Sequence, residues 1–278
     1  MKTEQEIKHW LDIHNIKKYS INSDLSVDVN QDIDLNSKQL TELPFQFGVV
    51  HGDFNIANNQ LTSLKGSPKE VYGTFNCTIN NITSLKYGPH IVRENYICSK
   101  NQLESLEYAP EKTGWNFNCA YNNLTSLKGC PKEVGGRFYC FYNKITSLEE
   151  GPSSVFENYD CSHNQITSLK GCPPIIKGDF NCNNNKLTSL EHAPREIHMN
   201  LNCSNNSITT FKNGPELVKG VVWCDRNELP EVFDKFNHKE ILDYYNKQEK
   251  KLKQVNDKTK PITNEKPKVI RKSNSLEL

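Results

Sequence analysis

Nowhere in its 278 residues does the chain hold a run approaching the roughly 18 apolar residues of a membrane-spanning helix. Its opening segment, MKTEQEIKHWLDIHNIKKYS, lacks the apolar core and small-residue cleavage site of a secretory leader. Excess charge is lacking too: 34 Lys and Arg face 33 Asp and Glu, so no overall field draws the protein to nucleic acid or membrane. There is no Gly-rich phosphate loop, because the glycines at 52, 73, 136, 178 and 220 recur at one position of a repeat. The ten cysteines never form the C-x-x-C pairs typical of structural zinc. Even hydrophobic residues are scarce, at 35%. These absences give the expectation of a soluble, cytoplasmic protein without metal or cofactor. Leaderless export by a dedicated system stays open.

What the chain does have is repetition. LTSLKGSPKEVYGTFNCTINN from Leu61 returns as LTSLKGCPKEVGGRFYCFYNK from Leu124. Variants begin at Leu40, Ile82, Leu103, Ile145, Ile166, Leu187 and Ile208, giving nine gapless 21-residue repeats over 40–228. A short fixed period means stacked coils, and stacked coils offer a long surface rather than a cleft. Position 15 of the repeat is Phe or Tyr from Phe54 to Phe180, then Leu201 and Val222. Position 17 is Ile56 and then Cys in every repeat from Cys77 to Cys224. Both alternate with polar neighbours, the pattern of a strand with one buried face. Position 20 is always Asn, from Asn59 to Asn227. One amide there can satisfy both donors and acceptors of a buried bend. Pro at position 8 in eight repeats, Pro68 to Pro215, predicts an extended, irregular return rather than a helix.

The run F-x-C-x-x-N-x-L resembles the L-x-L-x-x-N-x-L segment of leucine-rich repeats, with Phe or Tyr and then Cys in the strand positions. The resemblance spans about two-thirds of the chain. It implies a leucine-rich-repeat solenoid: a parallel β-sheet on the concave side, extended Pro-containing convex returns, and helical N- and C-terminal caps. The repeat is similar to those of short-repeat proteins of tailed bacteriophages and some bacteria, and implies a phage-encoded factor. It also resembles the repeats of secreted effectors of the ubiquitin-ligase type. Those place Pro directly after the second Leu, where only Pro44 stands here, and carry a separate catalytic domain; the ligase activity is not carried over.

The ends divide accordingly. Residues 1–39 read as an N-terminal cap, with an amphipathic helix over 3–18 bearing Ile7, Trp10, Leu11, Ile13 or His14 and Ile16 on one face. Leu25, Val27 and Val29, then Ile33 and Leu35, predict strands leading into the first coil, the last two in register with positions 15 and 17. Residues 229–252 read as a C-terminal helical cap through Val232, Phe233, Phe236, Ile241, Leu242 and Tyr245. Residues 253–278 read as a basic, disordered tail. Nucleic acid would enter only through that tail.

The position-17 cysteines are expected to pack in the core as reduced thiols, one rung apart and side by side rather than facing. Cys130 and Cys172 sit at position 7, two repeats apart. The eight histidines are scattered over the repeat, and His163 with Asp160 makes no convincing catalytic pair. The solvent face is more informative. Positions 13, 14, 16, 18 and 19 should face outwards and mostly hold small polar residues. In the middle coils Tyr121, Arg137, Tyr139, Phe141, Tyr142 and His163 replace them, with Ile97 and Lys100 as extensions. Trp223 and Arg226 form a second, smaller cluster. Exposed aromatics with Arg mark a protein-binding hot spot, or else aromatics stacking across strands to stabilise the sheet. The expected function is a non-enzymatic protein-interaction module that binds a partner through its concave sheet. The alternatives are a rigid spacer in a virus particle and an effector whose enzyme lies elsewhere.

Overall fold

A computed structural model describes residues 3–229, together with Glu240 and Asp243. The helical cap expected over 229–252 and the tail over 253–278 therefore lie almost wholly outside the described residues. Within them the repeats stack as a solenoid, one coil per 21 residues. Position 15 of each coil pairs in parallel with position 15 of the next, as in Phe54 with Phe75 and Phe117 with Phe138. The resulting ten-stranded sheet runs from Ile33–Asp34 to Val222–Trp223. Leu35 and Ile33 stand in the same register, donating to the carbonyls of Asn55 and Asp53. No helix among the described residues is long and apolar enough to cross a membrane.

Each coil needs few apolar residues because each touches two identical neighbours. Positions 1, 4, 11, 15 and 17 point inwards and are buried in nearly every coil. Their rings form a column: Phe75 to Tyr96 is 5.0 Å, Tyr96 to Phe117 5.5 Å, and Phe117 to Phe138 5.9 Å between centroids. Identical side chains one rung apart fill the interior without voids, each worth roughly 1.5–3 kcal/mol of burial.

The Asn at position 20 closes every bend. The Asn80 amide donates to the carbonyls of Ile56 and Cys77 at 3.0 and 3.1 Å, and its Oδ1 accepts from the Leu61 N–H at 3.0 Å. The Asn80 bond to Ile56 crosses to the preceding coil, so each Asn both shapes its own bend and ties two coils together. The pattern repeats through Asn227. Just before it, position 19 adopts a left-handed conformation in all nine coils, from Asn58 at φ 53° to Arg226 at φ 54°.

The returns are not irregular. Positions 10 and 11 pair in parallel as a second ladder, for example Glu70–Val71 with Ile91–Val92. Pro at position 8 ends just before this strand, where its missing N–H breaks no rung. The ladder does break once, between Ser154–Val155 and Ile175–Ile176. Pro174 occupies position 9 there, and it cannot make the bond by which His90 reaches Lys69 O or Ser153 reaches Lys132 O. Strands on both sides give both sides the same rung spacing of about 4.8 Å. That removes the main source of curvature that wider, helical returns would impose.

The N-terminal cap is a helix followed by a hairpin. α1 (Glu4–Ile13) starts at a capping box, in which the Glu6 N–H donates to Thr3 Oγ1 and the Thr3 N–H to Glu6 Oε2. It ends earlier than the expected residue 18 because Asn15 turns left-handed at φ 58°. Ile7 and Leu11 are buried, Trp10 and His14 stack at 3.8 Å, and Ile13 points to solvent. β1 (Tyr19–Ile21) pairs antiparallel with β2 (Val27–Val29), and β2 joins the second sheet beside the strand Phe47–Val50. Leu25 is not in a strand as its alternation implied. It sits at φ 63° in a turn that Asp24 and Ser26 hold, the Ser26 N–H donating to Asp24 Oδ1 at 3.0 Å.

Two rings in the column carry a hydroxyl with no partner. Tyr96 and Tyr159 are fully buried, and their oxygens make no hydrogen bond. Each has a glycine at position 7 of its coil: a Cβ on Gly88 would lie 3.0 Å from the Tyr96 hydroxyl, and one on Gly151 3.6 Å from that of Tyr159. Glycine makes room for an oxygen that nothing satisfies. Removing a buried unsatisfied hydroxyl recovers about 1 kcal/mol or more. Tyr159→Phe is therefore expected to raise the urea midpoint, and Tyr96→Phe likewise; a fall in either would show that these oxygens are bonded in solution.

Candidate functional site

Asn and Asp knit the solvent face at positions 14 and 16 in most coils, and Asn stands at position 19 in coils 1, 7 and 8. At position 14 an Asp or Asn accepts the backbone N–H of the next coil, as Asp53 does from Thr74 at 2.7 Å and Asn116 from Arg137 at 2.7 Å. At position 16 an Asp or Asn accepts the N–H two residues on, as Asn118 does from Ala120 at 3.0 Å and Asp160 from Ser162 at 2.9 Å. At position 19 Asn tolerates the left-handed backbone better than any other residue with a side chain except Asp. Coil 5 departs at all three positions, with Arg137, Tyr139 and Tyr142, as does the terminal coil 9, with Val221, Trp223 and Arg226. None of these can accept the backbone bonds that Asn or Asp would. Tyr142 at φ 52°, Tyr121 at φ 55° and His163 at φ 52° place bulky rings in a strained conformation costing on the order of 1 kcal/mol each.

The structure brings the six central residues into one surface. Tyr121 and Tyr142 stack at 4.6 Å, and Tyr142 and His163 at 4.1 Å, each pair within 10° of parallel. Phe141 meets Tyr121 edge-on at 5.4 Å and Tyr139 at 6.0 Å. Lys100 Nζ lies 5.7 Å above the Tyr121 ring. Arg137 pairs with Glu157 at 2.9 Å, and neighbours the Tyr139 hydroxyl. Tyr121 is 43% and Tyr142 44% exposed, whereas Tyr139 and Phe141 are half-buried. Position 18 is in general not on the surface: Ala57, Ser99, Ala120, Ser162 and Ser204 are buried. The strand has ended there, and the bend folds over it. Trp223 and Arg226 sit three coils beyond His163 and join no part of this cluster; Arg226 reaches Asn205 instead.

His163 and Asp160 form no dyad. The ring's Nε2 lies 3.3 Å from the Asn184 amide, and Asp160 is engaged by the Ser162 N–H and the Asn181 amide. The thiols are equally occupied. Cys98 Sγ donates to Asn118 O and Cys119 Sγ to Tyr139 O, both at 3.4 Å. Burial pushes Cys130 up to about 12 and Cys98, Cys119, Cys140 and Cys161 well above the ordinary thiol value. Among the described residues no group of three or more His, Cys, Asp or Glu is arranged to hold a metal.

Two features escaped the sequence reading. At position 5 the charges alternate from Lys86 through Glu107, Lys128, Glu149, Lys170 and Glu191, and neighbouring coils pair, Lys128 with Glu107 at 2.9 Å and Lys170 with Glu149 at 2.6 Å. The alternation has a period of two repeats, which reading one repeat at a time conceals. The second is a groove of about 800 Å³ in the second sheet, between His90–Arg93 and Ala109–Gly114. It opens where the ladder thins to a single registered pair, Thr113 with Val92. Thr113 is the one polar residue at position 11, and its hydroxyl turns to Trp115 O at 3.2 Å.

No family model matches the chain, and neither does any curated protein. Among solved structures, YopM from Yersinia enterocolitica WA-314 is similar, at 16% identity and a TM-score of 0.34, over 83% of this chain and 75% of its own.

Proposed function

We propose that the protein is a non-enzymatic protein-interaction module, and that it binds its partner through the ten-stranded sheet at coils 4 to 6. One observation carries this reading. Within the interior of the array, coil 5 alone gives up Asn or Asp at positions 14 and 16 together, gaining Arg137 and Tyr139, and its Tyr142 joins Tyr121 and His163 at position 19; the terminal coil 9, with Val221, Trp223 and Arg226, is the other coil that departs at all three. A chain needing only stacked coils has no use for that exchange, because the polar ladders of its neighbours do the same work with less backbone strain. Rings displayed at an energetic penalty to the fold fit a hot spot, where large rigid side chains bury area at low entropic cost. Ladders on both sides leave little curvature to make this face concave. The phage origin implied by the repeat belongs to the same proposal, and makes host and virion proteins the pool to search.

The test is affinity capture on the full chain, read by mass spectrometry, against Tyr139→Asn/Tyr142→Asn. Asn restores the bond to the Phe141 N–H and relieves position 142, which offsets the lost ring contacts. Melting is expected to stay within a few degrees of wild type while partner recovery falls at least tenfold. Equal recovery by both proteins would remove the site. Recovery in purified particles, indifferent to this variant, would favour the rigid-spacer role instead.

A further inference from the structure

The chemistry of the partner can be read from what surrounds the rings. Tyr121, Tyr142 and His163 stack face to face, so their faces are spent on one another and their edges meet the solvent. Aromatic edges carry the positive end of the ring quadrupole, and the tyrosine edges add hydroxyl donors. Cations flank the column. Lys100, Lys144 and Lys186 are exposed, one on every second coil. Among the described residues none of the three has a carboxylate within ion-pair distance. Lys144 Nζ rests on Asn123 Oδ1 at 2.9 Å and Lys186 Nζ on Gln165 Oε1 at 3.4 Å. Elsewhere on the solenoid Lys128 and Lys170 are paired with glutamates, and within the patch Arg137 is paired with Glu157. Asp160, the other carboxylate at the patch, is already held by Ser162 and Asn181. Glu104 borders a shallow recess with Asn123, Thr125 and Lys144.

We propose that this strip docks an extended, acidic segment of a partner protein, with carboxylates on Lys100, Lys144 and Lys186 and the chain between them on the aromatic edges. The proposal rests on the binding site argued above. Lys144 and Lys186, both at position 21 and two coils apart, are separated by roughly 9.6 Å along the solenoid, from two rungs of about 4.8 Å, while Lys100 stands at position 19 in the column beside theirs. A polyproline-type chain brings every third residue to the same side at about 9.3 Å. The spacing therefore suits an acidic residue at every third position. Nucleic acid is the less fitting occupant, because stacked rings leave no face on which a base can lie.

The probe is a fluorescein-labelled peptide of four Glu-Pro-Ser repeats, with its Gln-Pro-Ser counterpart and labelled oligo-dT as comparisons. Anisotropy is expected to show binding of the Glu peptide only. Affinity should weaken about tenfold between about 50 and about 300 mM salt, as exposed charges become screened. Lys100→Gln/Lys144→Gln/Lys186→Gln should lose at least tenfold in affinity at an unchanged melting temperature. If the wild-type protein ignores the Glu peptide yet still captures its partner through Tyr139 and Tyr142, the acidic assignment is wrong and the site stands. If both fail, both are wrong. Equal binding of the Gln peptide, or tighter binding of oligo-dT, would also overturn the assignment.

Discussion

Raising the pH to about 10 should unfold the protein cooperatively. Eight cysteines, Cys77, Cys98, Cys119, Cys130, Cys140, Cys161, Cys182 and Cys203, are buried, and burial raises the pKa of each. In the unfolded chain a thiol titrates near 9.0. The folded form thus keeps its thiol protons at a pH where the unfolded form sheds them. Their contribution is fully present below about pH 9 and drains away as pH rises towards the folded values. At pH 10 each unfolded thiol gains about 1.4 kcal/mol by ionising, and eight gain about 11 kcal/mol. A whole domain is stable by about 5–15 kcal/mol. Far-UV circular dichroism and thiolate absorbance should therefore change together, with a midpoint between about pH 9.5 and 10, and recover on neutralisation under reductant. Cys119→Val/Cys140→Val should move the midpoint upwards, and Ile56 shows that the position takes a branched aliphatic chain. Thiols titrating one by one under an unchanged dichroism spectrum would refute the account. Lysine ion pairs cannot mimic the transition, since they are exposed and contribute little.

The same repeat that sets up this cliff also made most of the fold legible. Buried strand positions 15 and 17, the bend Asn at 20, and the register of Ile33 and Leu35 all follow from residues whose role is local and repeated nine times. The second sheet does not, because two-residue strands such as Glu70–Val71 are too short for alternation, and pairing with another coil is a tertiary fact. Leu25 misled for the opposite reason: it alternates with Val27 and Val29, but side-chain bonds from Asp24 and Ser26 fix a turn first. Position 18 looked exposed because alternation was carried one step past the end of the strand. The pairing of Gly88 with Tyr96 and Gly151 with Tyr159 lay in the sequence all along, as two residues of one coil covarying eight apart. In the candidate site the six central residues were legible as departures from the repeat. Their stacking, and the lost ladder bonds that give the departures meaning, required coordinates.

Replacing one ladder amide in the middle of the array should be among the most damaging single changes available. Asn122 donates to the carbonyls of Cys98, Cys119 and Ala120 at 3.1, 3.0 and 3.3 Å, and accepts from the Leu103 N–H at 3.0 Å. Ala at this position leaves the buried Leu103 N–H without its acceptor and takes one donor from each of three carbonyls across two coils, which keep only the Asn101 amide, the Asn143 amide and the Lys100 N–H. At about 1–3 kcal/mol for the unsatisfied N–H and about 1 kcal/mol for each of the three lost bonds, the loss is about 4 kcal/mol or more in urea unfolding. Asn123→Ala, one residue on, half-buried and bonded through its side chain to the exposed Lys144, should change stability by less than about 0.5 kcal/mol. The more discriminating variant is Asn122→Asp. It keeps the oxygen that Leu103 needs but turns the amide donor into a second oxygen facing three carbonyls. Shape alone would make Asp the gentler substitution, because it fills the space that Ala empties. If the amide's donations hold the coils together, Asp must be at least as destabilising as Ala at pH 7, and must recover part of its stability as acid protonates the carboxyl and restores one donor. An Asp variant more stable than the Ala variant at pH 7 would mean that filling the bend, and not bonding it, is what position 20 does.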